Sequence, residues 1–186
     1  MSITDILQTI IQALGLLSLV FLGITYYLDR RWKRAEAAYQ FYNGYDTNRD
    51  CQLAMFMLDY QDGDSAFEFD YEFPKFSRKV HVSYTLAKRQ GAMQKPYDQL
   101  SEEEQVIRFI FDVYIGYLER VFYLIKQGYF TEQELVFYKY WLDKLVSHQY
   151  EDIRAYAAEN SCGMFIPFLQ RYQRKIQPKL NKIMQF

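Results

Sequence analysis

Between Ile6 and Leu28 the chain runs for 23 residues without a charge, and thirteen of these are Leu, Ile, Val or Phe. As a helix rising about 1.5 Å per residue, the run covers about 34 Å, enough for a hydrocarbon core of about 30 Å. At roughly 0.5 kcal/mol each, the thirteen apolar side chains favour insertion by about 6 kcal/mol. Gln8, Thr9, Gln12, Ser18 and Thr25 offset part of this and are uncharged. The pattern predicts one transmembrane helix over 6–28. A cleaved signal peptide fits less well. Such a leader carries its positive charge before the apolar run, whereas here Met1-Ser2-Ile3-Thr4-Asp5 precedes it, and no small-x-small site stands before Asp29.

Beyond the run the pattern turns amphipathic. Nothing breaks a helix through Arg30–Tyr42, and Asn43-Gly44-Tyr45-Asp46 reads as a turn. Thr47–Asp59 is the second predicted helix, with Leu53, Ala54, Met57 and Leu58 on one side. A polar turn over Gln61–Ser65 follows. Phe67, Phe69, Tyr71 and Phe73 then alternate with acidic residues, and Val80, Val82 and Tyr84 alternate with His81, Ser83 and Thr85. Period two around Pro74 reads either as a short β-hairpin or as an extended acidic loop over 66–85. Thr85–Met93 turns helical, and Pro96 closes the region.

Ser101 with Glu104 forms a capping box that opens a helix to about Gln127, stopped at Gly128. A second box, Thr131 with Glu134, opens a helix to about Ser147. Glu151–Glu159 is the next, and the last runs over Phe165–Met184, with Pro167 in its first turn and Pro178 as a kink or end. The stretch Val106–Lys126 is apolar almost all round and competes as a second span. Arg108, Asp112, Glu119 and Arg120 argue against that, since each costs roughly 2.5–3.5 kcal/mol near a bilayer centre. A buried helix at the centre of the domain is expected instead. The expected fold class is mainly α: extracytoplasmic 1–5, a transmembrane helix 6–28, a membrane-proximal helix 29–43, and a helical bundle 44–186.

Charge sets the expected orientation. Formal net charge is −1, of which residues 1–34 contribute +2 and the remainder −3. Arg30, Arg31, Lys33 and Arg34 cluster at one mouth of the apolar run, which places the following domain in the cytoplasm and the N-terminus outside. Tyr26, Tyr27 and Trp32 stand where an interfacial aromatic belt belongs. Gln8, Gln12, Gly15, Leu19 and Gly23 fall within about 80° of one another on the helix, a stripe that could pair with a second membrane helix. A domain with net −3 lacks the basic footprint of a nucleic-acid binder.

Reactive chemistry is sparse. Arg108, Asp112 and Glu119 fall within about 40° on the central helix, with Arg108 and Asp112 spaced as an i,i+4 pair. They read as a salt-bridged stripe or, alternatively, as the site of an unfamiliar enzyme. Asp46, Asn48 and Asp50 match the start of a calcium loop, but Cys51 stands where its glycine belongs and Met57 where its glutamate belongs, so a turn with an N-cap is expected. Asp59, Asp62 and Asp64 read as an exposed acidic turn. Neither His81 nor His148 has a partner at ligand spacing, and no zincin, P-loop, dinucleotide or nucleophile-elbow motif occurs. Cys51 and Cys162 read as free thiols, and nothing near Ser161 or Cys162 would activate a nucleophile. No metal or cofactor is expected. Aromatics make up 19% of the chain, with 18 Tyr. Tyr114, Tyr117, Tyr123, Tyr138, Tyr140 and Trp141 could line the core or present a partner surface.

Four stretches resemble an uncharacterised bacterial family of short, single-span, membrane-anchored helical proteins, a domain of unknown function. They are Met57-Leu58-Asp59-Tyr60, the segment from Val106-Ile107-Arg108 to Tyr117-Leu118-Glu119-Arg120, Ile125-Lys126-Gln127-Gly128-Tyr129, and Tyr138-Lys139-Tyr140-Trp141-Leu142. The resemblance implies an anchored helical domain in a bacterial inner membrane and no known activity. With the residue patterns it leads to the expectation of a non-enzymatic interaction or regulatory module. Its expected partners are the bilayer and another membrane or cytoplasmic protein, or a second copy of itself.

Overall fold

Helix-forming residues run unbroken from the apolar segment well past its basic flank, and one helix, α1 (Ile3–Thr47), covers both. The computed structural model describes residues 3–60, 67–73, 78–160 and 163–183. The chain divides into two compact units, residues 1–39 and 40–186. The expected turn at Asn43–Asp46 is absent, because α1 continues to Thr47. Within the second unit Tyr45 is wholly buried, its ring 5.8, 5.3 and 5.3 Å from those of Tyr114, Tyr117 and Tyr138. A Cβ added at Gly44 would come 2.9 Å from the Tyr117 hydroxyl oxygen. The glycine therefore serves a close approach rather than a turn, and burial of Tyr45 overrides the local signal.

The chain breaks at Asn48 instead. Its side chain accepts the Cys51 N–H at 3.0 Å and caps α2 (Arg49–Asp59). The calcium-like residues are thus engaged in structure: Asn48 is the cap, and the Asp50 carboxylate accepts the Tyr71 hydroxyl at 2.9 Å. Strands β1 (Phe67–Glu72) and β2 (Lys79–Tyr84) pair antiparallel, Phe67 opposite Tyr84 and Glu72 opposite Lys79. The alternation therefore marks a hairpin rather than a loop. Tyr71, Val80, Val82 and Tyr84 face the core, while Glu68, Asp70, Glu72 and His81 are exposed. His81 Nδ1 lies 2.9 Å from the Asp70 carboxylate across the ladder, and that hydrogen bond raises the imidazole pKa above its ordinary value. The expected turns over 61–65 and around Pro74, with Asp62 and Asp64, lie outside the described residues, as do Ser161, Cys162 and Met184.

Helix α3 (Leu86–Gln94) is capped by Thr85, and α4 (Glu102–Lys126) by the reciprocal Ser101–Glu104 box. Helix α4 is the axis of the second unit. Val106, Ile107, Ile110, Phe111, Tyr114, Ile115, Leu118, Val121 and Phe122 are buried along it, and it packs on α2, α3, β2 and α7. Gly128, at φ +75°, takes the left-handed conformation just beyond its end. The second capping box forms, but it opens a 3₁₀ segment, Glu132–Tyr138, before α5 (Lys139–Leu145). Only Leu135 and Tyr138 are buried there, and three residues per turn put both on one side.

Helix α6 (Glu151–Glu159) falls where expected. The last helix is continuous but compound: α7 (Phe165–Arg171), a π turn over Tyr172–Ile176, then α8 (Gln177–Ile183). Pro178 neither ends nor begins it. The widened ladder just before it accommodates the missing N–H and the ring.

Two glycines separate propensity from packing. A Cβ at Gly91 would collide with the Glu104 carboxylate, which also pairs with Lys95 at 2.6 Å and accepts the Ser101 N–H at 2.9 Å. A Cβ at Gly116 would meet nothing. In thermal unfolding of the full chain in detergent, Gly91→Ala is expected to lose about 1–2 kcal/mol. Gly116→Ala should gain up to about 1 kcal/mol.

Candidate functional site

In the first unit, the twelve large aliphatic and Phe side chains from Leu7 to Leu28 are each between 50 and 69% exposed. The Ser18 and Thr25 hydroxyls in this stretch are satisfied by the helix itself. Ser18 Oγ donates to the Leu14 carbonyl and Thr25 Oγ1 to the Phe21 carbonyl, both at 2.9 Å. The helix is long and apolar enough to cross a membrane. Gln8, Gln12 and Leu19 are exposed on the predicted pairing stripe, with open space over Gly15 and Gly23. At the basic collar Lys33 pairs with Asp29 at 2.9 Å, and Tyr26, Tyr27, Arg30, Arg31 and Trp32 are exposed, with Arg34 half-buried.

In the second unit, the polar stripe of α4 forms three separate links. Arg108 is buried and donates from Nε to the Ala92 carbonyl at 2.6 Å and from Nη2 to the Lys95 carbonyl at 2.5 Å. It thereby closes the C-terminal end of α3, where unpaired carbonyls and the helix dipole favour a cation. Its guanidinium also lies 5.2 Å from the Tyr156 ring centre. Asp112 is exposed and accepts the Tyr156 hydroxyl at 2.7 Å, which fixes α6. Glu119 accepts the Met164 N–H at 3.2 Å, an anion at the start of α7. The expected Arg108–Asp112 ion pair does not form, because each finds a partner on a neighbouring element. Three carboxylate or guanidinium groups that share one helical face are thus spent on three different contacts.

The most deeply buried charge pair among the described residues was not legible as a motif. Arg89 of α3 donates from Nε to Asp152 Oδ2 at 2.9 Å and from Nη2 to Oδ1 at 3.2 Å, and Nη2 also reaches the Gln149 carbonyl at 2.9 Å. The two side chains are 2% and 7% exposed. The guanidinium stacks 4.9 Å from the Tyr150 ring centre. One signal was available: Arg89 shares its helical face with the buried Ala92 and Met93, an unusual position for an unpaired cation.

A tyrosine cluster occupies the far side of α4. The hydroxyls of Tyr45, Tyr114 and Tyr138 are buried without a hydrogen-bond acceptor in good geometry among the described residues. Burial pushes all three phenols up. Burial, reinforced by Asp50, also pushes the Cys51 thiol up to about 12, so it stays protonated and inert at neutral pH. Tyr123 and Tyr140 are exposed, whereas Tyr117 and Trp141 are partly covered. Among the described residues no group of three or more His, Cys, Asp or Glu is arranged to hold a metal ion.

Removing one member of a buried ion pair strands the other. Asp152→Ala is expected to destabilise the domain by about 3 kcal/mol, while the paired replacement Arg89→Met with Asp152→Leu should recover most of that loss. Denaturant unfolding of the single and double variants measures the difference. Comparison of the chain with protein-family models, with curated proteins and with solved structures gives no match to any of them.

Proposed function

We propose that this chain is a single-span, membrane-tethered interaction or regulatory module that holds a helical domain at the cytoplasmic face of a bacterial inner membrane. The observation that carries the reading is the apolar helix whose Leu, Ile, Val and Phe side chains are exposed on every side. So large an apolar surface calls for a cover of lipid or protein. Lipid fits best, because the segment carries no charge over 23 residues and the hydroxyls of Ser18 and Thr25 bond within the helix. The collar Arg30, Arg31, Lys33 and Arg34 supports the cytoplasmic placement of the domain.

An interaction role is supported by how the domain uses its chemistry. Arg108, Asp112 and Glu119 each bind a neighbouring structural element, and Arg89 with Asp152 is sealed in the interior. The exposed aromatic rings of Phe56, Tyr97, Tyr123, Tyr129 and Tyr140 are available to meet a partner, with the Tyr140 hydroxyl also donating to Asp59 at 2.7 Å. Tyrosine is enriched at such surfaces because it joins a large apolar ring to a polar tip. The partner on this reading is another membrane or cytoplasmic protein or a second copy of the chain, and Gln8, Gln12, Gly15, Leu19 and Gly23 offer a face for helix pairing in the bilayer.

The full chain is expected to stay in the membrane pellet after alkaline carbonate extraction, and its domain to resist protease added outside intact cells. Replacing Arg30, Arg31, Lys33 and Arg34 together by Gln should raise the fraction of chains cleaved from outside. Release by carbonate, or cleavage of the unaltered chain from outside, would overturn the reading.

A further inference from the structure

The segment Phe165–Ile183 contains Arg171, Arg174, Lys175, Lys179 and Lys182 and no carboxylate. Its apolar side is already covered, since Phe165, Leu169, Tyr172, Ile176 and Leu180 are buried. All five cations are exposed. One carboxylate reaches them: Glu132 pairs with Arg171 and, at 3.7 Å, with Lys179. Arg174, Lys175 and Lys182 make no ion pair within 4.0 Å among the described residues.

The preceding chain has the opposite sign. Residues 35–164 hold thirteen Lys and Arg against twenty-one Asp and Glu, a formal −8. Five like charges on one helical face of an otherwise acidic body make a strong charge asymmetry. An anionic surface attracts that face and repels the remainder, so it both binds and orients the domain. An extended polyanion such as nucleic acid fits poorly, because it would run from the basic face onto acidic surface. A phospholipid leaflet presents its phosphates in a plane that need meet only the basic side. Arg can take a phosphate with two parallel N–H groups, and Lys acts as a mobile point charge.

We propose that Arg174, Lys175 and Lys182, with Arg171 and Lys179 beside them, bind the phosphate headgroups of acidic phospholipid in the leaflet next to the anchor. This rests on the membrane-tethered reading, in which Arg30, Arg31 and Arg34 meet the same leaflet. The tether keeps the domain at high effective concentration over the lipid, so individually weak contacts suffice. The consequence is a domain whose posture responds to the acidic-lipid content and ionic strength at the membrane.

The test uses the full chain in nanodiscs of phosphatidylcholine alone and of phosphatidylcholine mixed with phosphatidylglycerol. Acetylation of each lysine by a water-soluble reagent is followed by mass spectrometry. Lys175 and Lys182 are expected to react about threefold or more slowly in the anionic discs, with Lys79 of β2 unchanged. High salt should erase the difference, because it shortens the screening length to about 3 Å at 1 M. In Arg174→Gln with Lys182→Gln, Lys175 should return toward its rate in neutral discs. Equal rates in the two lipids, with the chain still co-eluting with the discs, would overturn the lipid site while leaving the anchor intact. Protection that appears in neutral discs only when several chains share a disc would overturn it in favour of a second copy. A chain that does not co-elute with the discs at all overturns the anchor and, with it, this inference.

Discussion

Helix α4 is buried along much of its length, and the charged groups it carries beside that buried surface are stabilised by partners on neighbouring elements. Those pairings arrange the domain around it. Arg108 closes the end of α3, Asp112 holds the Tyr156 hydroxyl of α6, and Glu119 meets the start of α7. Apolar packing alone would let neighbouring helices slide along α4. Three directional contacts spaced along its length fix where each one sits. The buried Arg89–Asp152 pair adds a fourth directional contact, between α3 and α6, without involving α4 at all.

The aromatic content has the same explanation. A tyrosine fills a core with its ring and carries a hydroxyl to an acceptor at the margin. Tyr84 reaches the Met57 carbonyl at 3.2 Å, Tyr150 reaches the Leu58 carbonyl, and Tyr172 reaches Asp143 at 2.6 Å. Tyr71 and Tyr156 reach Asp50 and Asp112 in the same way. Most of the tyrosine load is therefore structural, and the exposed minority is what remains for a partner. The cluster of Tyr45, Tyr114 and Tyr138 is the exception, since those hydroxyls are buried without a good acceptor.

The two strongly apolar helices of this chain differ in how they treat polar groups. Along α4, Arg108, Asp112 and Glu119 point to partners on other elements. In the apolar part of α1, Ser18 and Thr25 turn back to their own helix. The first arrangement needs protein around it, while the second is compatible with hydrocarbon. Charge is distributed with similar economy: a basic collar, an acidic body over 35–164 and a basic final helix.

The amino-acid order by itself determined the features that depend on near neighbours. The 23-residue apolar run, both capping boxes, the period-two alternation of the hairpin and the helix over 151–159 depend on spacing of a few residues, which sequence records directly. The polar stripe Arg108, Asp112 and Glu119 was legible as a set on one face, but its use was not. An i,i+4 spacing makes Arg108 and Asp112 neighbours, and only packing against α3 and α6 offers each a better partner. Tertiary structure also decided that α1 runs through Asn43–Asp46, because burying Tyr45 outweighs a local turn preference. It likewise decided that the box at Thr131 opens a 3₁₀ turn, that a π turn carries the helix past Pro178, and that Arg89 meets Asp152 from 63 residues away. Each of these rests on a contact between distant segments, and no local pattern encodes its energy.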